Sequence, residues 1–342
     1  MKSLVSLMAL ALGAGLAHAA PADPDARAAE TVAAMAPEER QQLTHGPMAL
    51  PVMGFQPPAE AIPGAGFIPG LPRHGVPNLT ETDASLGVAW VGGLRHDGAT
   101  ALPSGMALGS SWNPDLLRAG GAMIGAEARA KGFNVMLAGG TNLIRDPRGG
   151  RTFEYLSEDP LLSGTLVGAS IDGIQSNHIV STIKHFALNN QETARKAVDV
   201  HISDAAARES DLLAFEIGIE QGKPGSVMCS YNLVNGQPAC ANSYLLNKVL
   251  KTDWGYQGWV MSDWGAVPGV EAAMAGLDQQ SGDQLDKAVH FDKPLAEAAA
   301  HDPKVAGRIT DMATRAARSA TWACAFMSMA VFSAGWASAA TA

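Results

Sequence analysis

The sequence predicts an α/β fold, a TIM-like (β/α)8 barrel that is either complete or cut short at its C-terminus. Short apolar runs rich in β-branched residues alternate with longer segments of helical character, as in repeated βα units. Polar, potentially reactive side chains follow those runs, where a barrel places its active site. The chain has 342 residues, of which 47% are hydrophobic, so it can bury one large core.

Strands and helices are predicted from the apolar runs and from capping residues. The clearest strands are 134–137, 179–183, Ser226–Cys229 and Trp259–Met261. Helices are predicted over Pro114–Ala130, 203–221 and 243–252. Asn113 is a typical helix cap followed by proline at the first helical position, and Gly222 ends the second helix. The segment 47–72 is dense in Gly and Pro and is expected to be an irregular loop.

The N-terminus has the pattern of a secretory signal peptide. A basic start precedes an apolar run over residues 4–16, and Ala17-His18-Ala19 supplies the small residues of a cleavage site. A buried N-terminal helix is the alternative, but Pro21 and Pro24 would break it. We therefore expect the mature protein in the periplasm or outside the cell.

Composition excludes some classes of ligand. The formal net charge is −9 and no block of Lys or Arg occurs, which argues against a nucleic-acid partner, since phosphate backbones bind clustered positive charge. The sequence contains no Cys-x-x-Cys or His-x-x-x-His pair, so no metal site is expected. The oligomeric state cannot be read from these features.

Cysteines leave two alternatives open. Cys229 and Cys240 flank a segment rich in turn residues, whereas Cys324 has no evident partner. In an oxidising compartment the first two can form a disulfide. Two independent buried thiols are an equal alternative, because only the geometry decides.

Polar side chains follow several of the predicted strands. Lys184 and His185 follow one strand, Tyr231 follows the next, and Asp263 and Trp264 follow the last. The C-terminal ends of barrel strands meet at one mouth, so we expect these side chains to lie together. A carboxylate among cations and hydroxyl groups suits a glycoside, whose transition state develops positive charge. We expect the cations to lower the pKa of Asp263, although a lone aspartate at a strand end can also be a helix cap or an ion-pair partner.

Several segments carry a family resemblance. They are 145–160 (RDPRGGRTFEYLSEDP), 184–193 (KHFALNNQET), 227–232 (VMCSYN) and 258–264 (GWVMSDW). In order and in spacing they resemble the β-glucosidase branch of glycoside hydrolase family 3. The resemblance implies a barrel that hydrolyses terminal, non-reducing β-linked sugars, with a mechanism of two carboxylates that needs no metal and no cofactor.

The resemblance also implies roles for individual residues. Asp263 is implied as the nucleophile that attacks the anomeric carbon. The residues implied to bind the substrate are Asp83, Arg151, Lys184, His185, Arg195, Tyr231 and Trp264. Among these, the lysine and the histidine would bond sugar hydroxyls, the arginines would clamp the same sugar, the tyrosine would lie beside the nucleophile, and the tryptophan would offer a stacking face.

Two positions depart from this simple match. Asp83 corresponds to the family's early aspartate, but Ala84 and Ser85 stand where the family usually has Gly-Pro. The match there depends on the aspartate alone. Arg145 and Arg148 are expected to form ion pairs with acidic residues of their own segment and to have a structural role.

The C-terminal part departs from the family further. Many members place a second α/β domain after the barrel, and that domain supplies the glutamate that acts as general acid and base. The residues after Asp263 are too few for the rest of a barrel and such a domain. The last segment has no charged residue, which we interpret as the product of a frameshift or premature stop, with a membrane anchor as the rival interpretation. The predicted organisation is a signal peptide (1–19), a glycosidase barrel (20–318) and an aberrant tail (319–342).

Two functions fit these observations. The first is an exo-acting retaining β-glycosidase, a β-glucosidase or β-xylosidase, acting on β-linked oligosaccharides or glycosides away from any membrane. The second is a catalytically incomplete sugar-binding barrel that lacks the acid/base domain. Glucose and xylose differ by one hydroxymethyl group, so the shape of the pocket decides between them.

Overall fold

The computed structural model describes residues 23–324, which include every segment that carries the family resemblance. The predicted signal peptide and residues 325–342 of the predicted tail lie outside the described residues. Within the described range, no helix combines the length and the apolar character needed to cross a membrane.

A six-stranded sheet forms the centre of the fold. The strands of the described chain are β1 (His45–Gly46), β2 (Gly66–Ile68), β3 (Leu79–Thr82), β4 (Val135–Met136), β5 (Val180–Phe186), β6 (Asp199–Val200), β7 (Ser226–Cys229), β8 (Leu233–Val234), β9 (Gln237–Pro238), β10 (Trp259–Met261) and β11 (Gln280–Ser281). The central sheet has the order β10, β7, β5, β4, β3, β2. From β3 to β10 all neighbours run parallel, so the predicted α/β fold is confirmed.

The regular eightfold barrel is not confirmed. β2 runs antiparallel to β3, whereas all strands of a (β/α)8 barrel are parallel, and the central sheet corresponds to half of a barrel. β2 also lies inside the segment that we predicted to be an irregular loop. The parallel pair of β1 and β11 lies beside both edges of the sheet. Met261 of β10 forms a bridge with Gln279, and the Phe67 N–H of β2 donates to the Pro47 carbonyl at 3.0 Å.

Helices surround the sheet. Those of the described chain are α1 (Pro24–Ala33), α2 (Pro37–Gln42), α3 (Gly105–Gly109), α4 (Pro114–Ala130), α5 (Pro160–Gln175), α6 (Asp204–Glu209), α7 (Asp211–Gly222), α8 (Glu271–Met274), α9 (Lys293–His301), α10 (Pro303–Cys324), a π-helix (Tyr244–Asp253) and short 3₁₀ turns at Pro72–His74, Val91–Gly93, Ala239–Ala241 and Asp283–Leu285. α4 is confirmed with its predicted cap, since Asn113 Oδ1 accepts from the Asp115 and Leu116 N–H groups at 3.0 and 3.3 Å.

The predicted helix over 203–221 is wrong in one respect, because it consists of two helices that break at Ser210. The backbone of Ser210 has φ −130° and ψ −100°, outside the helical region. Its hydroxyl donates to the Ala206 carbonyl at 2.6 Å and contacts Asp211 Oδ2 at 3.1 Å. These local bonds compete with the helical pattern and let α7 begin anew at Asp211.

Alternating side chains of β5 separate two layers of the core. Ile183 packs with Phe215 in the layer between the sheet and the helices. Val180 packs on the opposite face, in the same cluster as Trp259. Successive side chains of a strand point to opposite faces, so Lys184 shares the face of Val180 and lies at the strand's C-terminal end.

A buried ion cluster attaches α10 to the sheet. The Asp278 carboxylate accepts hydrogen bonds from Lys251 Nζ at 2.7 Å, from Arg308 of α10 and from the Val260 N–H at 2.7 Å. Burial alone would raise the pKa of Asp278, but the two cations outweigh it and lower the pKa. The cluster therefore joins helix, sheet and the π-helix through one carboxylate.

Cys229 and Cys240 form a disulfide, with their Cα atoms 5.2 Å apart. This result decides between the two alternatives that the sequence left open. The bond closes a loop that contains the β8–β9 hairpin, which pairs with β6 in a small three-stranded sheet. The hairpin is thereby tied to the end of β7, next to the predicted site.

Candidate active site

The predicted site residues come together at one end of the central sheet. Lys184 and His185 lie near the end of β5, Tyr231 lies just beyond β7, and Asp263 and Trp264 lie just beyond β10. These three strands are parallel neighbours, so their C-terminal ends lie side by side. The sequence prediction of a shared location is confirmed by this arrangement, whereas the individual roles stay predictions.

Asp263 is buried, and only one of its carboxylate oxygens is hydrogen-bonded. Oδ1 accepts from the Trp264 N–H at 2.8 Å. Oδ2 is buried and has no hydrogen-bond partner among the residues that the structure describes. His185 Nε2 lies 3.8 Å from Oδ2, which is too long for a hydrogen bond. An unpartnered buried oxygen of this kind requires an explanation, and a ligand atom is one.

Burial raises the pKa of Asp263 above its ordinary value, so the expectation of a lowered pKa was wrong. The Tyr231 hydroxyl, the Trp264 N–H and the cations Arg151 and Lys184 act in the opposite direction. They do not offset the loss of hydration, which disfavours the charged form. The ionised carboxylate is therefore destabilised in the ligand-free site.

Asn142 holds the backbone of His185 from both sides. Its Nδ2 donates to the His185 carbonyl at 2.9 Å, and its Oδ1 accepts from the His185 N–H at 2.8 Å. The pairing of β5 with β7 shifts register between Lys184 and Phe186, so His185 leaves the regular ladder here. The buried amide satisfies the backbone groups that the ladder no longer pairs.

The His185 ring is neutral and faces the nucleophile candidate. Burial lowers its pKa well below the ordinary value, and neighbouring cations lower it further. These cations are Arg151, Lys184 and Arg195. The Tyr155 hydroxyl lies 3.2 Å from Nδ1. With Tyr155 donating to Nδ1, the ring carries its proton on Nε2, the nitrogen nearest Asp263.

Lys184 is buried between two carboxylates that lie too far away to accept hydrogen bonds from all of its ammonium donors. Its Nζ lies 3.7 Å from Asp83 Oδ1 and 4.0 Å from Glu154 Oε2. Glu154 also forms an ion pair with Arg151. An ammonium group has three donors, and both carboxylate distances are long for hydrogen bonds. Lys184 can therefore donate to hydroxyl groups of a ligand while its charge stays balanced.

Asp83 reaches the same cluster from β3 and is the most open of these groups. Its side chain is 48% exposed, against 3% for Lys184. Ser85, which stands in place of the family's proline, fixes the loop that follows. Its Oγ accepts from the Gly139 and Gly140 N–H groups at 3.3 Å each, which attaches the loop to the end of β4.

Two aromatic side chains, Tyr231 and Trp264, lie beside Asp263 and complete the candidate site. The Tyr231 hydroxyl donates to the Trp264 carbonyl at 2.7 Å and so fixes the turn after Asp263. The Arg195 guanidinium lies 4.2 Å from the centroid of the Tyr231 ring, and its Nη1 bonds Glu192 Oε2 at 2.7 Å. The Trp264 indole N–H donates to the Ala65 carbonyl at 3.0 Å, which anchors this ring to the segment before β2.

Sequence reasoning assigned no contact to Asn142 or Tyr155, and it considered Glu154 only as a possible ion-pair partner of Arg145 or Arg148, whereas Glu154 pairs with Arg151. Glu154 and Tyr155 stand inside the 145–160 segment, so that segment pointed to them without indicating what they touch. Asn142 lies outside all four segments. Its only signal is its position shortly after β4, at a strand end where such a fold places functional side chains.

One of the two ion pairs predicted for the segment 145–160 is wrong. Arg148 pairs with Asp146 of its own segment at 2.8 Å, as predicted. Arg145 pairs instead with Asp211 at 2.6 Å. Asp211 is the first residue of α7 and distant in sequence, so no local charge pattern indicates this pair.

A large apolar cavity of the described chain lies away from the predicted site residues. It has a volume of about 750 Å³ and opens between α3, α4 and α5. Apolar side chains such as Met106, Trp112 and Leu161 dominate its lining, and no predicted site residue lines it. Volume alone therefore does not identify the site, whereas the charged cluster around Asp263 does.

A buried carboxylate with a free oxygen, flanked by a neutral imidazole, cationic donors and aromatic rings, is the kind of site that glycoside hydrolases have. In the described residues, no group of three or more His, Cys, Asp or Glu is placed to hold a metal ion. The model of the glycosyl hydrolase family 3 N terminal domain matches residues 71–288, more than half of the chain. The chain belongs to glycosyl hydrolase family 3, and the resemblance seen in the sequence is confirmed.

Relatives of known name are β-glucosidases. Beta-glucosidase BoGH3A of Bacteroides ovatus is 43% identical over 223 residues, which are 63% of this chain and 30% of that protein. Thermostable beta-glucosidase B of Acetivibrio thermocellus is 40% identical over 214 residues, 60% of this chain and 28% of that protein. The chain therefore spans about 30% of the length of these relatives.

Solved structures similar to this chain also include β-glucosidases. DesR, a β-glucosidase from Streptomyces venezuelae in complex with D-glucose, matches with a TM-score of 0.77 and 38% identity, over 84% of this chain and 36% of that chain. β-glucosidase 3B from Thermotoga neapolitana in complex with glucose matches with a TM-score of 0.78 and 35% identity, over 84% and 41% of the two chains. The shared region is the α/β domain that contains Asp263.

Proposed function

We propose that this chain carries the nucleophile and the terminal sugar subsite of an exo-acting, retaining β-glycosidase, a β-glucosidase or β-xylosidase. The observation that carries the proposal is the free, buried Oδ2 of Asp263 beside His185. The similar proteins named above are β-glucosidases, and two of their structures contain glucose, which supports a β-linked sugar as substrate.

In the proposed first step Asp263 Oδ2 attacks the anomeric carbon, the bond from that carbon to the leaving oxygen breaks, and the leaving oxygen takes up a proton. In the second step water attacks the anomeric carbon of the glycosyl–aspartate ester, and the bond from that carbon to Oδ2 breaks. The water gives its proton to the group that protonated the leaving oxygen, and the sugar is released with its anomeric configuration retained. Lys184 and His185 donate to sugar hydroxyls, and Arg151 and Arg195 hold the same ring. The positive charges of Arg151 and Lys184 also favour the ionised form of Asp263.

We assign the proton donor to no described residue. Asp83 Oδ1 and Glu154 Oε2 lie 3.7 and 4.0 Å from Lys184 Nζ and are placed as its charge partners. The alternative function, a barrel that binds sugar without hydrolysing it, is the expected result if no donor reaches the site.

Covalent labelling tests the proposal. The chain is incubated with a 2-deoxy-2-fluoro-β-glucoside that has a good leaving group, which needs little protonation, and is then analysed by peptide mass spectrometry. A fluoroglycosyl adduct on Asp263 is the expected result, and Asp263→Asn is the matched control that should stay unlabelled. Sugar binding without an adduct would support the sugar-binding barrel instead, and an adduct on another carboxylate would refute the assignment.

We further propose that the strands close into a modified (β/α)8 barrel through β1 and β11, and that the chain is exported. The bridge and hydrogen bond at the two sheet edges support closure. The disulfide supports an oxidising compartment, since such bonds persist there. N-terminal sequencing of protein from the periplasm or the medium tests export, with Ala20 expected as the first residue.

A further inference from the structure

We propose that Asp211 is a positioning residue for sugar binding, because its carboxylate clamps together the two loops that carry Arg151 and Arg195. The inference rests on the proposed function, in which these two arginines hold the terminal sugar. Asp211 itself lies outside the four family-like segments and touches none of the residues around Asp263 in the contacts described above.

Two donors from distant segments converge on the Asp211 carboxylate. Oδ2 accepts from Arg145 Nη2 at 2.6 Å, and Oδ1 accepts from Asn190 Nδ2 at 2.7 Å, while Ser210 Oγ contacts Oδ2 at 3.1 Å. The Asp211 side chain is 1% exposed, whereas the Arg145 side chain is 50% exposed. The Asp211 carboxylate is thus buried inside the fold, and the Arg145 side chain reaches it from the surface.

The two long-range donors stand at the far ends of the two arginine loops. Arg145 opens the loop 145–151, which ends at Arg151, and Asn190 opens the loop 190–195, which ends at Arg195. Asp211 holds both opening residues at once. The loops also touch midway, where the Glu192 N–H donates to the Gly149 carbonyl at 2.8 Å.

The site ends of the loops are held by other partners. Arg151 pairs with Glu154, and Arg195 bonds Glu192 and stacks on Tyr231. Each loop is therefore fixed at one end by the site and at the other end by Asp211. Releasing the Asp211 end leaves the arginines present but less precisely placed, and a small misplacement of a positioning group weakens binding.

A carboxylate is needed because both groups that bind it from distant segments donate. An asparagine at this position would place its own NH₂ against Arg145 or Asn190 and would remove the charge that Arg145 pairs with. Asp211→Asn keeps the size of the side chain but cannot satisfy both loops. Asp278→Asn is the matched control, because it makes the same change in another buried, cation-paired aspartate that is bonded to neither loop.

The test compares these variants with the unmodified chain by amide hydrogen exchange and by titration with D-glucose and with D-xylose. In Asp211→Asn we expect exchange in both 145–151 and 190–195 to become about tenfold faster, and affinity for the sugar that binds better to fall about tenfold. In Asp278→Asn we expect lower stability with loop exchange and sugar affinity unchanged. Arg145→Ala, a change at a half-exposed side chain, should loosen mainly the first loop and provides a second variant if Asp211→Asn does not fold.

The outcomes separate this inference from the proposed function. Unchanged exchange in either loop of Asp211→Asn overturns the clamp, whether or not a sugar binds. Faster exchange in both loops with unchanged affinity overturns the positioning role, and so does an equal loss of affinity in Asp278→Asn. Covalent labelling of Asp263 by the fluoro-sugar is a separate measurement that tests only the proposed function. An Asp263 adduct with a failed clamp leaves the proposed function standing, and weakened sugar binding in Asp211→Asn without any adduct supports the clamp in a barrel that only binds.

Discussion

Asp263 and Asp278 are both buried and lie close together in sequence, yet the protein treats their carboxylates in opposite ways. Asp278 accepts from two cations and a backbone N–H, and its pKa is lowered. Asp263 leaves one oxygen without a partner, and its pKa is raised. In Asp278, whose buried charge stabilises the fold, both carboxylate oxygens accept hydrogen bonds. Where an acceptor is left open for a ligand, the fold is less stable than it could be.

The largest effect is expected at Asp263. Asp263→Asn should lower kcat on an aryl β-glucoside by a factor on the order of 10⁴ or more, as for other removed nucleophiles. The same variant should unfold at a higher denaturant concentration than the unmodified chain near neutral pH, because the amide has no charge to desolvate. Steady-state kinetics and urea unfolding measure the two effects.

The pH dependence of that stability difference sharpens the comparison. The folded-state pKa of Asp263 is raised above its unfolded value. Its contribution to stability is therefore fully present below the unfolded pKa and is lost as the pH rises through the folded pKa. Because asparagine does not titrate, the variant's advantage should grow with pH across that window. A difference that stays constant with pH would contradict the assignment of burial as the cause.

Asp278 should show the reverse pattern. Asp278→Asn leaves Lys251 and Arg308 as buried cations without a counter-charge, and breaking such a buried pair costs about 3–5 kcal/mol in free energy of unfolding. Urea unfolding at neutral pH measures the loss. Labelling of Asp263 by the fluoro-sugar should still occur in the folded fraction. Loss of labelling in folded protein would show that the two carboxylates are not separate in function.

Glu81 is an intermediate case that tests whether an open acceptor always marks a ligand site. It is fully buried on β3, neither of its carboxylate oxygens has a hydrogen-bond partner in the described chain, and a Cβ on Gly66 would touch it. Burial, with a smaller contribution from the charge of Asp83, raises its pKa to about 8. Glu81 is thus neutral near pH 7. Because the bound proton removes its charge, the buried side chain needs no cation beside it.

Glu81→Gln should therefore change how stability depends on pH. The raised folded pKa means that stability is fully present below the ordinary pKa of 4.5 and is lost as the pH rises through about 8. Relative to the glutamine variant, the unmodified chain should lose on the order of 5 kcal/mol across this window. Unfolding curves at several pH values measure the loss, and parallel profiles for the two proteins would refute the raised pKa.

The smallest effect is expected at an exposed pair. Arg118 and Asp172 join α4 and α5 at 2.6 Å, with more than half of each side chain exposed. Arg118→Ala should change the free energy of unfolding by about 0–1 kcal/mol, because solvent and salt screen such pairs. A loss as large as that of Asp278→Asn would mean that burial does not separate strong from weak ion pairs in this protein.

Local signals predicted much of this structure. Helix α4 begins and ends as predicted, because Asn113 and the proline after it act within one turn of the chain. Strands β7 and β10 also have their predicted bounds, since their apolar runs stop at the polar residues of the site. The predicted site residues lie together as expected, because the C-terminal ends of neighbouring parallel strands lie side by side.

Features that depend on distant contacts were not predicted. The pairing of Arg145 with Asp211 joins segments far apart in sequence. β2 lies in a segment dense in Gly and Pro, whose composition indicates a loop and not a strand. The sign of the pKa change at Asp263 depends on the balance of burial and nearby cations, and sequence order shows the cations but not the burial.

Helix α1 packs along α10, and an ion pair between Asp25 and Arg318 joins them. Nearby, Ser319 Oγ donates at 3.0 Å to the carbonyl of Gly225, which precedes β7 at the end of the sheet opposite Asp263. The first and last described helices are therefore neighbours on the rear of the molecule. If the protein were immobilised on a bead through either helix, the end of the sheet that carries Asp263 would face away from the bead. A large or insoluble substrate could then approach that end without obstruction from the support.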